Sequence, residues 1–67
     1  MKISLLKKKR IEAGLSKSEL ARRSNMQSGV IGWIEEGRFR PYDSQLVKLA
    51  DALGVDDPKK LLDLVEA

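Results

Sequence analysis

Apolar residues recur along this chain every three to four positions, which is the spacing of one face of an α-helix. No run of five or more residues alternates between apolar and polar side chains, the pattern of a half-buried strand. The spacing predicts five short helices, over residues 3–13, 17–24, 28–36, 44–53 and 58–65. Because no linker, repeat or low-complexity segment separates them, residues 1–67 are expected to form a single all-α domain.

The apolar positions of these helices are predicted to pack into one core. A chain of 67 residues buries only about 60% of the surface that its unfolded form exposes, so the core is expected to be small. Its predicted members are Leu6, Ala13, Leu20, Ala21, Ile31, Ile34, Leu46, Leu49, Ala50, Leu53, Leu61, Leu62 and Val65.

Turn-forming residues indicate where the helices begin and end. Ser16 and Glu19 have the spacing of a capping box, in which each side chain accepts a hydrogen bond from the other residue's backbone N–H. Asp57 followed by Pro58 predicts another helix start, with proline in the first helical position. The residues expected to end helices in the left-handed conformation are Gly14, Asn25, Gly37 and Gly54.

The start of the fourth helix is less clearly marked. Pro41 precedes it, and either Tyr42 or Asp43 can be its first flanking residue. We interpret Asp43 as the cap, because a short carboxylate side chain accepts readily from the free N–H groups of a helix start.

Residues 16–37 predict two short helices joined by a three-residue turn. Helices this short on so tight a turn must cross at a large angle, which defines a helix-turn-helix. Ala21 lies where the first helix approaches the second, and Ile31 and Ile34 are expected to face the core. The opposite face of the second helix would then present Ser28, Gly29, Gly32, Trp33 and Glu36 outward.

Charge is distributed unevenly along the chain. The whole sequence has a formal net charge of +3. Residues 1–40 contain ten Lys or Arg and four Asp or Glu, a net of +6, whereas residues 41–67 contain three and six, a net of −3. This asymmetry has two equally good explanations, a polyanionic partner on one face or a solvated surface without a partner.

Composition excludes several functional classes. The chain has no cysteine and no histidine, so disulfides, thiolate zinc sites and the usual acid–base catalyst near neutral pH are excluded. We therefore expect neither an enzyme nor a bound cofactor, metal or small-molecule ligand. No apolar stretch is long enough to cross a membrane, and the basic run at residues 7–10 comes too early for a signal peptide, which predicts a cytoplasmic protein without a membrane partner.

Four motifs extend over nearly the whole chain, from about Leu5 to Leu62. They are Gly-Leu-Ser-x-x-Glu-Leu-Ala at 14–21, Ile-x-x-Ile-Glu-x-Gly at 31–37, Pro41, and Leu-x-x-Leu-Ala-x-Ala-Leu-Gly-Val at 46–55. In order and spacing they resemble the XRE family of phage-repressor and Cro-like helix-turn-helix regulators. The resemblance implies a compact five-helix bundle like the lambda-repressor DNA-binding domain, and a sequence-specific transcriptional regulator that binds double-stranded DNA.

The resemblance also implies roles for individual residues. The helix over 28–36 would be the recognition helix in the major groove, and the helix over 17–24 would cross the DNA backbone. An ion pair between Arg10 and Glu35 would tie the first helix to the recognition helix, although Arg10 could also belong to the basic run before it. The residues implied to contact DNA are Lys17, Gln27, Ser28, Gly29, Trp33, Arg38, Arg40 and Tyr42.

The residue types support part of this assignment and depart from it elsewhere. A helix start beside Lys17 is favourable for a phosphate. The recognition helix, however, has glycines where base readers are usually Arg, Lys, Asn or Gln. Trp33 could contact DNA, pack on its own domain or anchor a protein partner, and Tyr42 could donate to a phosphate or cover the core.

The last predicted helix bears on assembly. Relatives commonly dimerise through this C-terminal region, so the resemblance implies a homodimer on a palindromic operator. The competing interpretation is a protein-interaction module or an antitoxin that keeps the fold but reads DNA weakly or not at all. Cations at Lys17, Arg38 and Arg40 favour the DNA-binding interpretation, because a protein interface would not require them.

Overall fold

Four α-helices follow one another in the computed structural model, which describes all residues 1–67. They are α1 (Leu5–Glu12), α2 (Lys17–Arg23), α3 (Ser28–Glu35) and α4 (Asp43–Leu53). The other elements are β1 (Lys2–Ser4), a 3-10 helix (Pro58–Leu62) and β2 (Leu64–Glu66). None of the helices combines the length and the apolar composition needed to cross a bilayer.

The predicted mostly helical fold is confirmed, but the chain has four α-helices instead of five, and it is not strictly all-α because its two ends form a small antiparallel sheet. β1 pairs with β2, and Ile3 lies opposite Val65. The predicted helix over 58–65 is a short 3-10 helix followed by β2. At the other end, the Ser4 side chain accepts from the Lys7 N–H at 3.1 Å and caps α1, which starts the helix at Leu5 instead of residue 3.

The predicted helix ends are confirmed. Gly14, Asn25, Gly37 and Gly54 all have positive φ angles, between 57° and 77°. The Ser16–Glu19 capping box forms with both hydrogen bonds at 3.1 Å.

Two of the predicted helix starts have different outcomes. Asp57 caps the 3-10 helix through a 3.1 Å bond from the Lys59 N–H, as expected. The prediction for α4 was wrong, because Tyr42 is the flanking residue and Asp43 is the first helical one. Gln45 is consistent with this start, since its side-chain oxygen accepts from the N–H of the flanking residue Tyr42 at 2.8 Å, as the third helical residue of a capping box does.

One apolar core joins the four helices and the 3-10 helix. Ala13 was wrongly placed in it, because that residue follows the last turn of α1 and is exposed. Leu15 was missed, and it is buried where the chain turns from α1 into α2. Leu53, Leu62 and Val65 are half-buried at the edge. The buried apolar residues are Leu6, Leu15, Leu20, Ala21, Ile31, Ile34, Leu46, Leu49, Ala50 and Leu61.

Candidate nucleic-acid interface

A tight turn sets the angle between α2 and α3. Asn25 adopts the left-handed conformation at φ 57°, and the Met26 N–H donates to the Ala21 carbonyl at 2.7 Å. The Ser24 hydroxyl donates to the Leu20 carbonyl at 2.6 Å, so this buried side chain is satisfied within α2. Ala21 is buried at the contact, where a larger side chain would push the two helices apart. The predicted helix-turn-helix is therefore confirmed.

The N-terminal half of α3 has an exposed face with small side chains. Ser28 and Gly29 are exposed in the first turn, and a Cβ added to Gly29 would meet no atom within 4 Å. Gln27 flanks the helix start, and its side-chain amide makes no capping hydrogen bond to the helix. Trp33 follows on the same side and is 51% exposed, so packing within the domain accounts for only half of its surface.

Gly32 lies on this face of α3 but is buried, contrary to the expectation that it is exposed. The cause is the side chain of Lys17, which reaches across from the start of α2. Its Nζ and Cδ lie 3.7 and 3.9 Å from the position that a Cβ of Gly32 would occupy. These are ordinary van der Waals distances, so the Lys17 side chain covers Gly32 and its ammonium group lies on the face of α3.

Glu36 and Arg38 form an exposed ion pair just beyond α3. Arg38 Nε lies 3.2 Å from Glu36 Oε1. The other carboxylate oxygen, Oε2, lies 4.0 Å from the same Gly32 Cβ position that Lys17 approaches. Backbone geometry fixes Arg38 here, because Gly37 is left-handed and the Arg38 N–H donates to the Trp33 carbonyl at 2.8 Å.

The loop after α3 exposes an arginine and a tyrosine. Arg40 and Tyr42 are both exposed, on either side of the buried Pro41. The Tyr42 ring packs edge-on against Phe39 with centroids 6.4 Å apart, and the residue remains 71% exposed. Tyr42 therefore covers Phe39 at most, and its hydroxyl is free to meet a partner.

A bidentate ion pair fastens α3 to α1. Arg10 Nε and Nη2 donate to the two carboxylate oxygens of Glu35 at 2.7 and 3.2 Å, and Nη1 donates to the Leu15 carbonyl at 3.0 Å. The two side chains are only 11% and 3% exposed. Because paired donors and acceptors of this kind fix orientation as well as distance, the pair holds the C-terminal end of α3 in place.

The comparisons with known proteins agree with this geometry. Residues 4–62 match the family of helix-turn-helix domains. The chain belongs to the XRE-type helix-turn-helix family. Its structure is similar to the crystal structure of the restriction-modification controller protein C.AhdI from Aeromonas hydrophila, with 32% identity over 85% of each chain and a TM-score of 0.78. No curated protein matches the chain.

The start of α2 in this helix-turn-helix domain differs from the simple anion site expected there. The capping box occupies the N–H groups of Ser16 and Glu19 and puts a carboxylate in the first turn. Hydrogen bonds from the Ser16 backbone and hydroxyl hold the pKa of Glu19 below its usual value. The positive charge at this end of the site is therefore supplied mainly by the Lys17 side chain.

The helix-turn-helix domain thus gathers most of its predicted site residues on one surface. Gln27, Ser28, Gly29 and Trp33 lie along α3, and Lys17 and Arg38 lie near its C-terminal end. Sequence reasoning missed Glu36 as the ion-pair partner of Arg38, although its position two residues before Arg38 was visible. No group of three acidic side chains is placed to hold a metal ion.

Proposed function

We propose that this chain is a sequence-specific regulator of transcription that binds double-stranded DNA with α3 in the major groove. The observation that carries the proposal is the outward face of α3. This face exposes Ser28, Gly29 and the ring of Trp33, and the cations Lys17 and Arg38 lie towards its C-terminal end. A helix of this width fits the major groove, and the cations then lie near the phosphates. Such a role needs no catalytic group.

The proposed reading of bases depends on few side chains. Gln27 can make a bidentate contact with adenine, and Ser28 can bond to several bases. Gly29 allows the α3 backbone to approach the base edges, since no side chain intervenes there. The exposed ring of Trp33 can lie against thymine methyl groups or sugars. With so few direct readers, the shape of the duplex is expected to contribute to specificity.

The similarity to C.AhdI supports one biological setting. That protein is a restriction-modification controller, and 85% of each chain aligns. We therefore propose that this chain controls the genes of a restriction–modification system. Phosphate positioning in the proposed complex comes from four exposed residues, Lys17, Arg38, Arg40 and Tyr42.

We also propose that the chain acts as a homodimer on a palindromic operator. A single small domain reads only a few base pairs, whereas a dimer reads two half-sites. The C-terminal segment offers an exposed apolar side chain for this contact, Leu64, which is 66% exposed on β2.

A second candidate function is suggested by the exposure of Trp33. A half-exposed tryptophan among glycines is a suitable anchor for a protein partner, as in an interaction module or antitoxin. The two functions differ in their dependence on salt. Binding to DNA through several phosphates weakens steeply as salt rises, whereas an apolar protein interface does not require this.

Selection of bound sequences from a random duplex library tests the proposal directly. We expect enrichment of a palindrome whose half-sites lie about one helical turn, or 10 base pairs, apart, with two protomers bound per duplex in sedimentation. Enrichment of a single half-site with one protomer per duplex would contradict the dimer. A library that emerges without any enriched sequence would contradict sequence-specific reading.

A further inference from the structure

One carboxylate lies among the cations that the proposed function assigns to phosphates. Glu36 Oε1 lies 3.2 Å from Arg38 Nε in an ion pair, and Oε2 lies on the side of α3 that Lys17 covers. Both Lys17 Nζ and Glu36 Oε2 are within 4.0 Å of the same point, the position of a Gly32 Cβ. Glu36 is therefore paired with Arg38 and lies on the same face of α3 as the Lys17 ammonium group.

Stability of the helix does not explain this position. The C-terminal end of a helix is its negative pole, where a carboxylate is unfavourable and a cation is favoured. Glu36 caps that end of α3, and the last turn of the helix has no basic residue. Its partner Arg38 is 72% exposed, and exposed pairs of this kind contribute little to folding. The acidic group thus needs an explanation outside folding.

We infer that Glu36 competes with DNA phosphates for the cations of this surface. It thereby lowers the affinity for DNA that comes from contacts with the phosphate backbone alone. The inference rests on the proposed function. The ion pair with Glu36 neutralises part of the charge of Arg38 before a duplex arrives, and the same carboxylate lies on the side of α3 that Lys17 covers. A phosphate that binds Arg38 must compete with this carboxylate, which the duplex also repels. Because binding to random sequence depends almost wholly on such cations, Glu36 weakens it.

The test compares two glutamates on a random-sequence duplex of 30 base pairs. Glu36→Gln should bind about threefold to tenfold more tightly than the wild type, and its log–log salt dependence should steepen by about one unit. Glu12→Gln is the matched control. Glu12 is 52% exposed, like Glu36, and also pairs with a nearby cation, Lys9, but it lies on α1. The control should stay within about twofold of wild type, since it removes the same formal charge elsewhere.

The variant Arg38→Gln tests whether Glu36 acts mainly through Arg38 or through Lys17. If Glu36 acts mainly by holding Arg38, the gain from Glu36→Gln should shrink when Arg38→Gln is already present. The melting temperature of Glu36→Gln should be unchanged or slightly higher. An affinity equal to that of Glu12→Gln, or weaker than that of the wild type, would overturn the inference. Absence of salt-dependent binding by the wild type would instead contradict the proposed function.

Discussion

Replacing Arg10 with alanine should destabilise the domain by about 3–5 kcal/mol, because the change leaves the nearly buried carboxylate of Glu35 without a partner. It also removes the donor to the Leu15 carbonyl. A domain of this size has a total stability of about 3–10 kcal/mol, so much of the folded population should be lost. Urea unfolding followed by circular dichroism measures the effect.

Lys9→Ala is the matched control for this prediction. Lys9 pairs with Glu12 at 3.6 Å, and both side chains are about half exposed. Its loss should therefore cost at most about 1 kcal/mol. If Arg10→Ala instead kept the wild-type melting temperature and only weakened DNA binding, Arg10 would belong to the basic run at residues 7–9 and not to the structural pair.

The second large effect concerns DNA affinity. Lys17→Ala combined with Arg40→Ala should weaken binding to duplex DNA by about tenfold to a hundredfold at moderate salt, and should flatten the log–log salt dependence by nearly two units. The reason is that two phosphate contacts are lost while the exposed face of α3 is untouched. A gel-shift titration at several salt concentrations measures both quantities.

A control with the same change in charge uses two other exposed lysines. Lys48 lies on α4 and Lys60 on the 3-10 helix, away from α3 in sequence and outside the proposed docking surface. Replacing both with alanine should change affinity only slightly. If the Lys17 and Arg40 variant bound DNA as well as this control does, the proposed docking surface would be wrong.

Local sequence signals predicted the central part of the fold well. Left-handed residues such as Asn25 and Gly37, and the capping box at Ser16, act on their immediate neighbours, so their spacing was sufficient to place α2 and α3. The core positions Ile31 and Ile34 followed from the same periodicity.

The terminal sheet could not be predicted in this way. Its strands have three residues each, which is too short for an alternating pattern to stand out. The pairing of Ile3 with Val65 joins opposite ends of the chain, and no local signal reports a partner so distant. Without knowledge of this pairing, the spacing of the apolar residues after Pro58 predicts one more helix.

The site shows the same division between local and distant information. The resemblance to the family implied the residues along α3 and the Arg10–Glu35 pair, but the contacts made by Lys17 and Glu36 had no signature in the spacing. The position of the Lys17 side chain over Gly32 depends on how closely α2 and α3 approach. Likewise, the ion pair between Glu36 and Arg38 depends on the left-handed turn between them.

The insertion of α3 into the major groove is tested most directly by a nuclear magnetic resonance titration of the labelled protein with duplex DNA selected from the library. We expect the largest changes at the backbone amides of Ser28 and Gly29 and at the Trp33 indole, all exposed on α3. DNA binding that left these three signals undisturbed and shifted residues elsewhere would contradict the account.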